Sequence, residues 1–232
     1  KNNFKTLLID EKNELGGATI YQNKEFNKIN NQGSSDWIKK EINELKNISN
    51  LEIKTRTSVA AYHGYNYLLA RENLTDHLEK KDKNNKVRQR LLKIRAKKVI
   101  LATGALERPL VFNNNDRPGI ILSTAVKKYA DFFGVKCGEK NVFFTNNDSA
   151  YESALCLHNK GIKVDAIVDI RDNSNSKIVK AVEQAGIKIY WSHTVVDTNG
   201  YRRLDNISIM RLSNDGMTVT GKRINISCDC LG

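Results

Sequence analysis

Cysteine is scarce in this 232-residue sequence, with four in all: Cys137, Cys156, Cys228 and Cys230. Four thiols are too few for a disulfide framework at this length. No C-x-x-C occurs, which removes the redox pair that a disulfide reductase requires. Cys228 and Cys230 form a C-x-C within ISCDCLG, whose alternation reads as a strand carrying two unligated thiols. No further ligands stand at metal-site spacing, so no metal residue is assigned. Long apolar runs are also missing: none approaches the roughly 18 to 20 residues that span a bilayer, and no signal-peptide pattern precedes the first strand. A soluble cytoplasmic protein without a membrane partner is expected. The chain opens at Lys1 with an apolar run almost at once, and is expected to be an excised or cleaved fragment.

Hydrophobic residues make up 40% of the chain, enough for a packed protein of one large or two ordinary domains. The 38 Lys and Arg exceed the 26 Asp and Glu, leaving a net charge of +12. Basic residues are spread over most of the sequence instead of forming a nucleic-acid patch. Their densest cluster, KKDKNNKVRQR at 80–90, falls where a hairpin tip is expected. It reads as a solvated loop face, or as a surface for an acidic partner subunit.

Period and punctuation suggest an α/β fold of tandem Rossmann-like nucleotide-binding units. FKTLLID at 4–10 is a short strand ending in Asp10, followed by Glu11 and by LGG at 15–17; a strand-ending acid suits a nucleotide ribose. The strand and glycine-rich turn that normally stand before it are not in the sequence, so this first unit, 1–112, is read as truncated. DWIKKEINELKNI at 36–48 predicts an amphipathic helix with Asp36 as N-cap. LEIKTRTSVAAYH, YNYLLAREN and VRQRLLKIRAKKVIL predict an antiparallel insertion followed by a buried strand, VIL at 99–101. In ATG at 102–104 a small residue and a glycine after that strand let backbone or cofactor approach closely. Arg108 is a candidate for a phosphate or a flavin-bearing interface; pairing with Glu107 or simple exposure remains open.

Pro109, the asparagine run and Pro118 mark LERPLVFNNNDRPGI as a connecting loop. Ser123 or Thr124 is expected to cap a helix that Gly134 ends. A second unit, 113–223, then follows as strand, helix, strand, helix, strand, with a hairpin after it and a return strand toward the first unit over 224–232. Its turn is TNNDSA at 145–150, in which Thr145, Asn147 and Ala150 occupy the places of the three fingerprint glycines. Asparagine tolerates positive φ, so the turn can survive. Its side chains crowd a pyrophosphate and Asp148 repels one, so this unit reads as a scaffold and the first as the cofactor site. His63, His77, His158 and His193 form no metal or nucleophile motif, and no catalytic residue is assigned.

LIDEKNELGG, RQRLLKIRAKKVILATGALERPLVFNNNDRPGI and VFFTNNDSAYESALCLHNKG together resemble the alpha subunits of heterotetrameric sarcosine oxidases. The resemblance implies a two-dinucleotide-binding-domain flavoprotein working with beta, gamma and delta subunits. It implies oxidative demethylation of sarcosine, a small secondary amine, to glycine, with hydrogen peroxide formed and the one-carbon unit passed to tetrahydrofolate. NAD is expected in the first unit of the full-length subunit, with FAD and FMN elsewhere in the complex. Carried over, Asp10, Gly16, Gly17, Thr103 and Gly104 match the family's nucleotide site, and with Glu11 and Arg108, read from the sequence itself, they are the expected cofactor-binding residues. Two other readings remain: a pyridine-nucleotide-dependent flavoprotein reductase, which calls for a glycine-rich second turn, and a noncatalytic assembly module.

Overall fold

The computed structural model describes residues 4–21, 27–83 and 86–232, which fall into two compact units, Lys1–Ala105 and Leu106–Gly232. In the first, strand β1 (Thr6–Ile9) pairs in parallel with β4 (Leu51–Lys54). A parallel pair needs a crossover between its strands. It is supplied by a 3₁₀ turn (Gly17–Tyr21), a small hairpin of β2 (Lys28–Ile29) and β3 (Gln32–Gly33), and helix α1 (Ser34–Leu45). The helix starts two residues before the expected cap: Gly33 occupies the N-cap position with no side-chain cap, and Asp36 lies in the first turn. There its charge faces the positive end of the helix. Trp37, Ile38, Ile42 and Leu45 are half-buried on one face, while Ile48 lies beyond the helix and is exposed.

The insertion is an antiparallel sheet of β5 (Thr57–His63), β6 (Tyr67–Asn73) and β7 (Gln89–Arg95) in that order. The basic cluster begins as a single helical turn, α2 (Lys80–Lys83); residues 84–85 lie outside the described residues. The buried strand expected at 99–101 does not form, and Ile100 and Leu101 are 90% and 68% exposed. A strand exists only where a neighbour receives its backbone hydrogen bonds. Among the described residues, the parallel sheet of this unit consists of β1 and β4 alone.

The second unit carries the expected alternation: α3 (Ser123–Asp131), β8 (Asn141–Thr145), α4 (Ser149–Asn159), β9 (Val164–Asp169), α5 (Lys177–Gln184) and β10 (Ile189–Trp191). A three-stranded antiparallel sheet follows, made of β11 (His193–Asn199), β12 (Asn206–Leu212) and β13 (Val219–Ser227). Residues 224–232 divide between two sheets of this unit. The first four finish β13, and β14 (Cys230–Leu231) joins the parallel sheet, whose order is β10-β9-β8-β14. The C-x-C is therefore a corner between strands and not one strand. At that corner the Asp229 carboxylate accepts the backbone N–H groups of Glu139 and Lys140 at 3.1 and 2.8 Å. Gly119 fits against the same corner at φ +105°, where a Cβ would come within 2.7 Å of the Asp229 carbonyl oxygen.

The core of the second unit joins the two sheets: Val142, Ala166 and Val168 pack with Val195, Ile207, Ile209, Cys228 and Leu231. β8 and β9 are near-continuous apolar runs because a parallel sheet is covered on both faces.

The connecting loop at 106–122 is fastened to this unit from both ends. Glu107 reaches the start of α3, where its carboxylate accepts the N–H and hydroxyl of Ser123 at 3.2 and 2.7 Å, the N–H of Thr124 at 2.9 Å, and the Thr124 hydroxyl. Neither Ser123 nor Thr124 caps the helix with its own side chain, and the N-cap position is Leu122. Further along, Arg117 donates to the carbonyl of Gly200 and to Thr198, and Asn114 donates to Asp197 at 2.8 Å. These contacts place the break between units at 105/106, ahead of the 112/113 boundary read from the sequence.

Glu107→Ala is expected to lower the stability of the second unit by about 1–2 kcal/mol, because the first turn of α3 loses a charged cap. Equal denaturation midpoints for the two proteins would contradict that role. Cys228 and Cys230 are each 1% exposed, and burial pushes both thiols up to about 12. At pH 8 both should resist iodoacetamide in the native protein and react freely in denaturant, since the thiolate is the nucleophile. Rapid native labelling of either residue would show that the corner opens.

Candidate functional site

β1 ends at Asp10 for reasons visible in the backbone. The N–H of Asp10 makes a last bond to the Lys54 carbonyl at 2.9 Å, and its carboxylate then accepts the N–H of Lys12 at 2.9 Å, turning the chain. The turn is held from the far side. Thr57 N–H donates to the Asp10 carbonyl at 2.9 Å, and Arg56 N–H to the Lys12 carbonyl at 2.7 Å. Asp10 is half-buried and Glu11 exposed. Beside this turn lies a cleft of about 290 Å³ lined by Glu11, Lys12, Arg56, Ser58, Arg71, Asn73 and His77.

The two glycines of LGG differ in what they do. Gly16, at φ +115°, lies against Ile20 and Ile38, so that a Cβ would come within 2.8 Å of the Ile20 side chain. Its requirement is packing between the 3₁₀ turn and α1. Gly17, at φ +55°, has open space where a Cβ would stand. Thr103 and Gly104 lie in an exposed stretch without regular structure, Gly104 at φ +71° and also facing open space. No hydrogen bond among the described residues joins them to the Asp10 turn. Arg108 belongs to the second unit and is exposed. It does not pair with Glu107, whose carboxylate is committed to α3.

At the corresponding place in the second unit the arrangement is closed. Asparagine at 147 does not use its tolerance of positive φ; neither it nor Thr145 has a left-handed backbone. Side-chain bonds shape the turn instead. The Thr145 hydroxyl donates to the Asn147 carbonyl at 2.8 Å, and Asn147 Oδ1 accepts the N–H and hydroxyl of Ser149 at 2.9 and 2.6 Å. Ala150, 2% exposed, provides the close packing expected of the third glycine position.

β9 ends in Asp169, as β1 ends in Asp10, but Asp169 is 0% exposed. Its carboxylate accepts the Tyr151 hydroxyl at 2.8 Å, the Arg171 N–H at 2.9 Å, and the Arg171 guanidinium through Nε at 3.1 Å and Nη2 at 2.7 Å. Arg171 Nη1 also contacts Asp148, at the head of α4, at 2.8 Å. One guanidinium thus links the strand-end acid to the helix-start acid across the position where a dinucleotide would lie. Burial, reinforced by the bond to Asp169, pushes the Tyr151 hydroxyl well above its ordinary range. The Asp169 bonds likewise raise Arg171. Burial alone would raise Asp148, but hydrogen bonds from Ser176 and Arg171 bring it below the usual carboxylate range. Tyr151 also stacks on Trp191, with ring centroids 6.1 Å apart. Sequence reasoning missed Arg171 and Asp169. The available signal was D-I-R at 169–171, an acid closing the second strand of a Rossmann-like unit with a cation two residues on.

Among the described residues no cluster of His, Cys, Asp and Glu could hold a metal ion, and no helix is long and apolar enough to cross a membrane. Arg171→Met is expected to destabilise the second unit by about 3–5 kcal/mol, because it leaves a buried carboxylate without its counter-charge. A loss below about 1 kcal/mol in chemical denaturation would remove Arg171 from that role.

No protein-family model matches the chain. The sarcosine oxidase subunit alpha of Corynebacterium sp. (strain P-1) is 36% identical over 217 residues, which is 93% of this chain and 22% of that protein. The chain therefore spans about a fifth of the length of this curated relative. Two solved structures share the fold. L-proline dehydrogenase from P. horikoshii has a TM-score of 0.60 at 19% identity, covering 97% of this chain and 36% of that one. Thioredoxin reductase from T. acidophilum has a TM-score of 0.64 at 15% identity, covering 98% of this chain and 75% of that one. Tandem Rossmann-like units are common to these dinucleotide-binding oxidoreductases, and over the segment it spans the chain belongs to the family of sarcosine oxidase alpha subunits.

Proposed function

We propose that the chain supplies the nucleotide-binding scaffold of the alpha subunit of a sarcosine oxidase, with the cofactor held by the first unit. The supporting observation is the contrast between two equivalent acids. Asp169 is fully buried and saturated by Arg171 and Tyr151, whereas the Asp10 carboxylate has one bond, from the Lys12 N–H, and remains half-exposed. An acid in that state can receive ribose hydroxyls. In this reading Asp10 and Glu11 hold the adenosine ribose of NAD, and Gly17 leaves room beside it. Gly16 keeps the turn tight, Thr103 and Gly104 let the backbone approach the cofactor, and Arg108 faces a phosphate or a flavin-bearing interface. FAD and FMN belong to the complete complex of alpha, beta, gamma and delta subunits. The reaction is oxidative demethylation of sarcosine to glycine with peroxide formed and the one-carbon unit taken by tetrahydrofolate. Flavin supplies the two-electron chemistry when bound. The residues of this chain bind and orient, and none is a catalytic residue.

A second reading, a pyridine-nucleotide-dependent flavoprotein reductase, is favoured by the likeness to thioredoxin reductase, three quarters of whose length the chain covers. It requires the second unit to accept a dinucleotide. The Arg171 bridge opposes that, and no C-x-x-C is present to pass electrons on.

The full-length subunit purified with its partner subunits is expected to retain flavin and NAD and to produce peroxide from sarcosine. Asp10→Asn should weaken NAD binding about tenfold or more without loss of flavin, since hydrogen bonds to a charged acceptor contribute about 1.5–3 kcal/mol. Flavin reduced by NADPH, with no sarcosine-dependent peroxide, would favour the reductase.

A further inference from the structure

The antiparallel sheet of β5, β6 and β7 has two faces of different character. Residues directly paired across antiparallel strands share a face. On one face Tyr67 stands opposite Arg95, Leu69 opposite Lys93, and Arg71 opposite Leu91. The β5 members of these rows, His63, Ala61 and Ser58, add no carboxylate. The other face carries the buried Leu68 and Ala70, and with them Glu72, which is held by Lys54 and Arg90. The first face is open: Arg71, Lys93 and Arg95 are exposed, and Leu91 is 61% exposed. The side chains of Arg71 and Lys93 make no ion pair or hydrogen bond among the described residues, and Arg95 lies over the Tyr67 ring, 5.9 Å from its centroid. A solvated sheet face is ordinarily polar; this one interleaves apolar side chains with cations and has no acid to match them.

At one end of this face the hairpin tip presents a further aromatic ring. The loop from β5 to β6 consists of Gly64, Tyr65 and Asn66, and its left-handed positions do not fall on the glycine. Tyr65 lies at φ +58° and Asn66 at φ +54°. Asparagine tolerates that conformation, but for a bulky residue it is an outlier that the surrounding structure must hold in place. The Tyr62 hydroxyl donates to Asn66 Oδ1 at 2.7 Å, Asn66 Nδ2 donates to the Lys97 carbonyl at 3.0 Å, and the Ala96 N–H donates to the Asn66 carbonyl at 3.1 Å. All this holds a tyrosine where it gains almost no burial, for Tyr65 is 89% exposed. Lys97 and Lys98, both exposed, extend the positive charge past the anchor of the tip.

We propose that the open face of β5, β6 and β7, with Tyr65 at its end, is the docking surface for an acidic partner subunit. The inference rests on the reading that the chain works in a complex of several subunits. An open three-stranded face suits a macromolecule, whereas a small ligand needs concavity. Tyrosine and arginine are the residues that carry much of the binding energy at protein interfaces, and here they surround Leu69 and Leu91. Charge selects the partner. Arg71, Lys93 and Arg95 oppose a basic surface, including a second copy of this chain with its net charge of +12, and attract an acidic one. Tyr65 is fixed before contact, so the ordering cost of burying its ring against the partner is already met.

The experiment measures assembly of the full-length subunit with its partner subunits by sedimentation velocity at low and high salt. The proteins are the wild type, Tyr65→Asn, Tyr65→Phe, and Lys93→Glu combined with Arg95→Glu. Asparagine accepts the left-handed backbone, so Tyr65→Asn should keep or raise the thermal midpoint while weakening assembly about tenfold or more. Tyr65→Phe retains the ring and should retain most of the affinity. The double charge reversal should weaken assembly by a similar factor and reduce its sensitivity to salt. NAD content is expected to be equal in all four, since none of these residues belongs to the nucleotide site. Assembly as tight in Tyr65→Asn and the charge reversal as in the wild type overturns the proposal; NAD retention and sarcosine-dependent peroxide then leave the proposed function standing. Unchanged assembly with loss of self-association, or with loss of binding to a single-stranded oligonucleotide, overturns it too, by giving the face another occupant. An alpha subunit that assembles with no partner defeats both readings.

Discussion

A carboxylate with no access to water stays ionised only if fixed donors and a counter-charge replace its hydration. Asp169 is in that position, and the second unit is arranged around meeting its demand. Arg171 turns back from two residues beyond β9 to grip both carboxylate oxygens, and Tyr151 donates from the first turn of α4. Because Arg171 also holds Asp148, β9 and the head of α4 are fixed to one another through a single guanidinium. That fastening needs no glycine-rich turn. The turn at 145–150 is free to use Thr145 and Asn147, whose side chains make the local bonds that glycines cannot.

The same constraint accounts for the asymmetry between the units. A Rossmann-like strand places its last residue at the mouth of the sheet, and an acid there has two stable outcomes. It can remain near solvent and bind a ribose, or be buried and take an internal cation. Asp10 remains near solvent: Lys12 and Arg56 meet its turn through backbone bonds, and neither side chain pairs with its carboxylate. Asp169 is buried and takes the Arg171 side chain as well as its N–H. The spacing is the same in both units, two residues from acid to cation, and the difference is that only Arg171 returns its side chain to the carboxylate.

Features carried by local period were legible in the sequence. The strand and helix alternation of 141–191 follows from apolar runs broken by short polar turns, and the antiparallel insertion from its successive hairpin arms. Features depending on a distant partner were not. The cap of α3 comes from Glu107, sixteen residues before Ser123, and local inspection assigned it to the hydroxyls beside the helix. VIL at 99–101 has the composition of a buried strand but no neighbour to complete its backbone bonds, and composition cannot supply one. ISCDCLG alternates like a strand, yet the backbone bonds that Asp229 accepts at Glu139 and Lys140 turn it into a corner. At the candidate site the strand ending at Asp10 and the turn after it were legible from the strand-acid-glycine order, whereas the cleft lined by Arg56 and Arg71 required the fold to bring separate strands together.

The net charge of +12 gains meaning when it is sorted by partner instead of by sequence. Lys127 is paired with Glu152, Lys160 with Asp131 and Arg171 with two aspartates; these cations complete internal contacts and attract no external ligand strongly. The cluster at 80–90 looks denser in sequence, but Arg88 there is matched by Asp76 and Arg90 by Glu72. Lys12, Arg56 and Arg71 are far apart in sequence and were invisible as a cluster, yet they share one cleft in which Glu11 is the one carboxylate and none of the three is ion-paired. An anion entering that cleft meets cations not already engaged, so less of the interaction is offset by breaking an existing pair. For a chain with basic residues almost everywhere, the places where charge can act are therefore decided by where the fold leaves it unmatched, and the first unit leaves it unmatched beside the Asp10 turn.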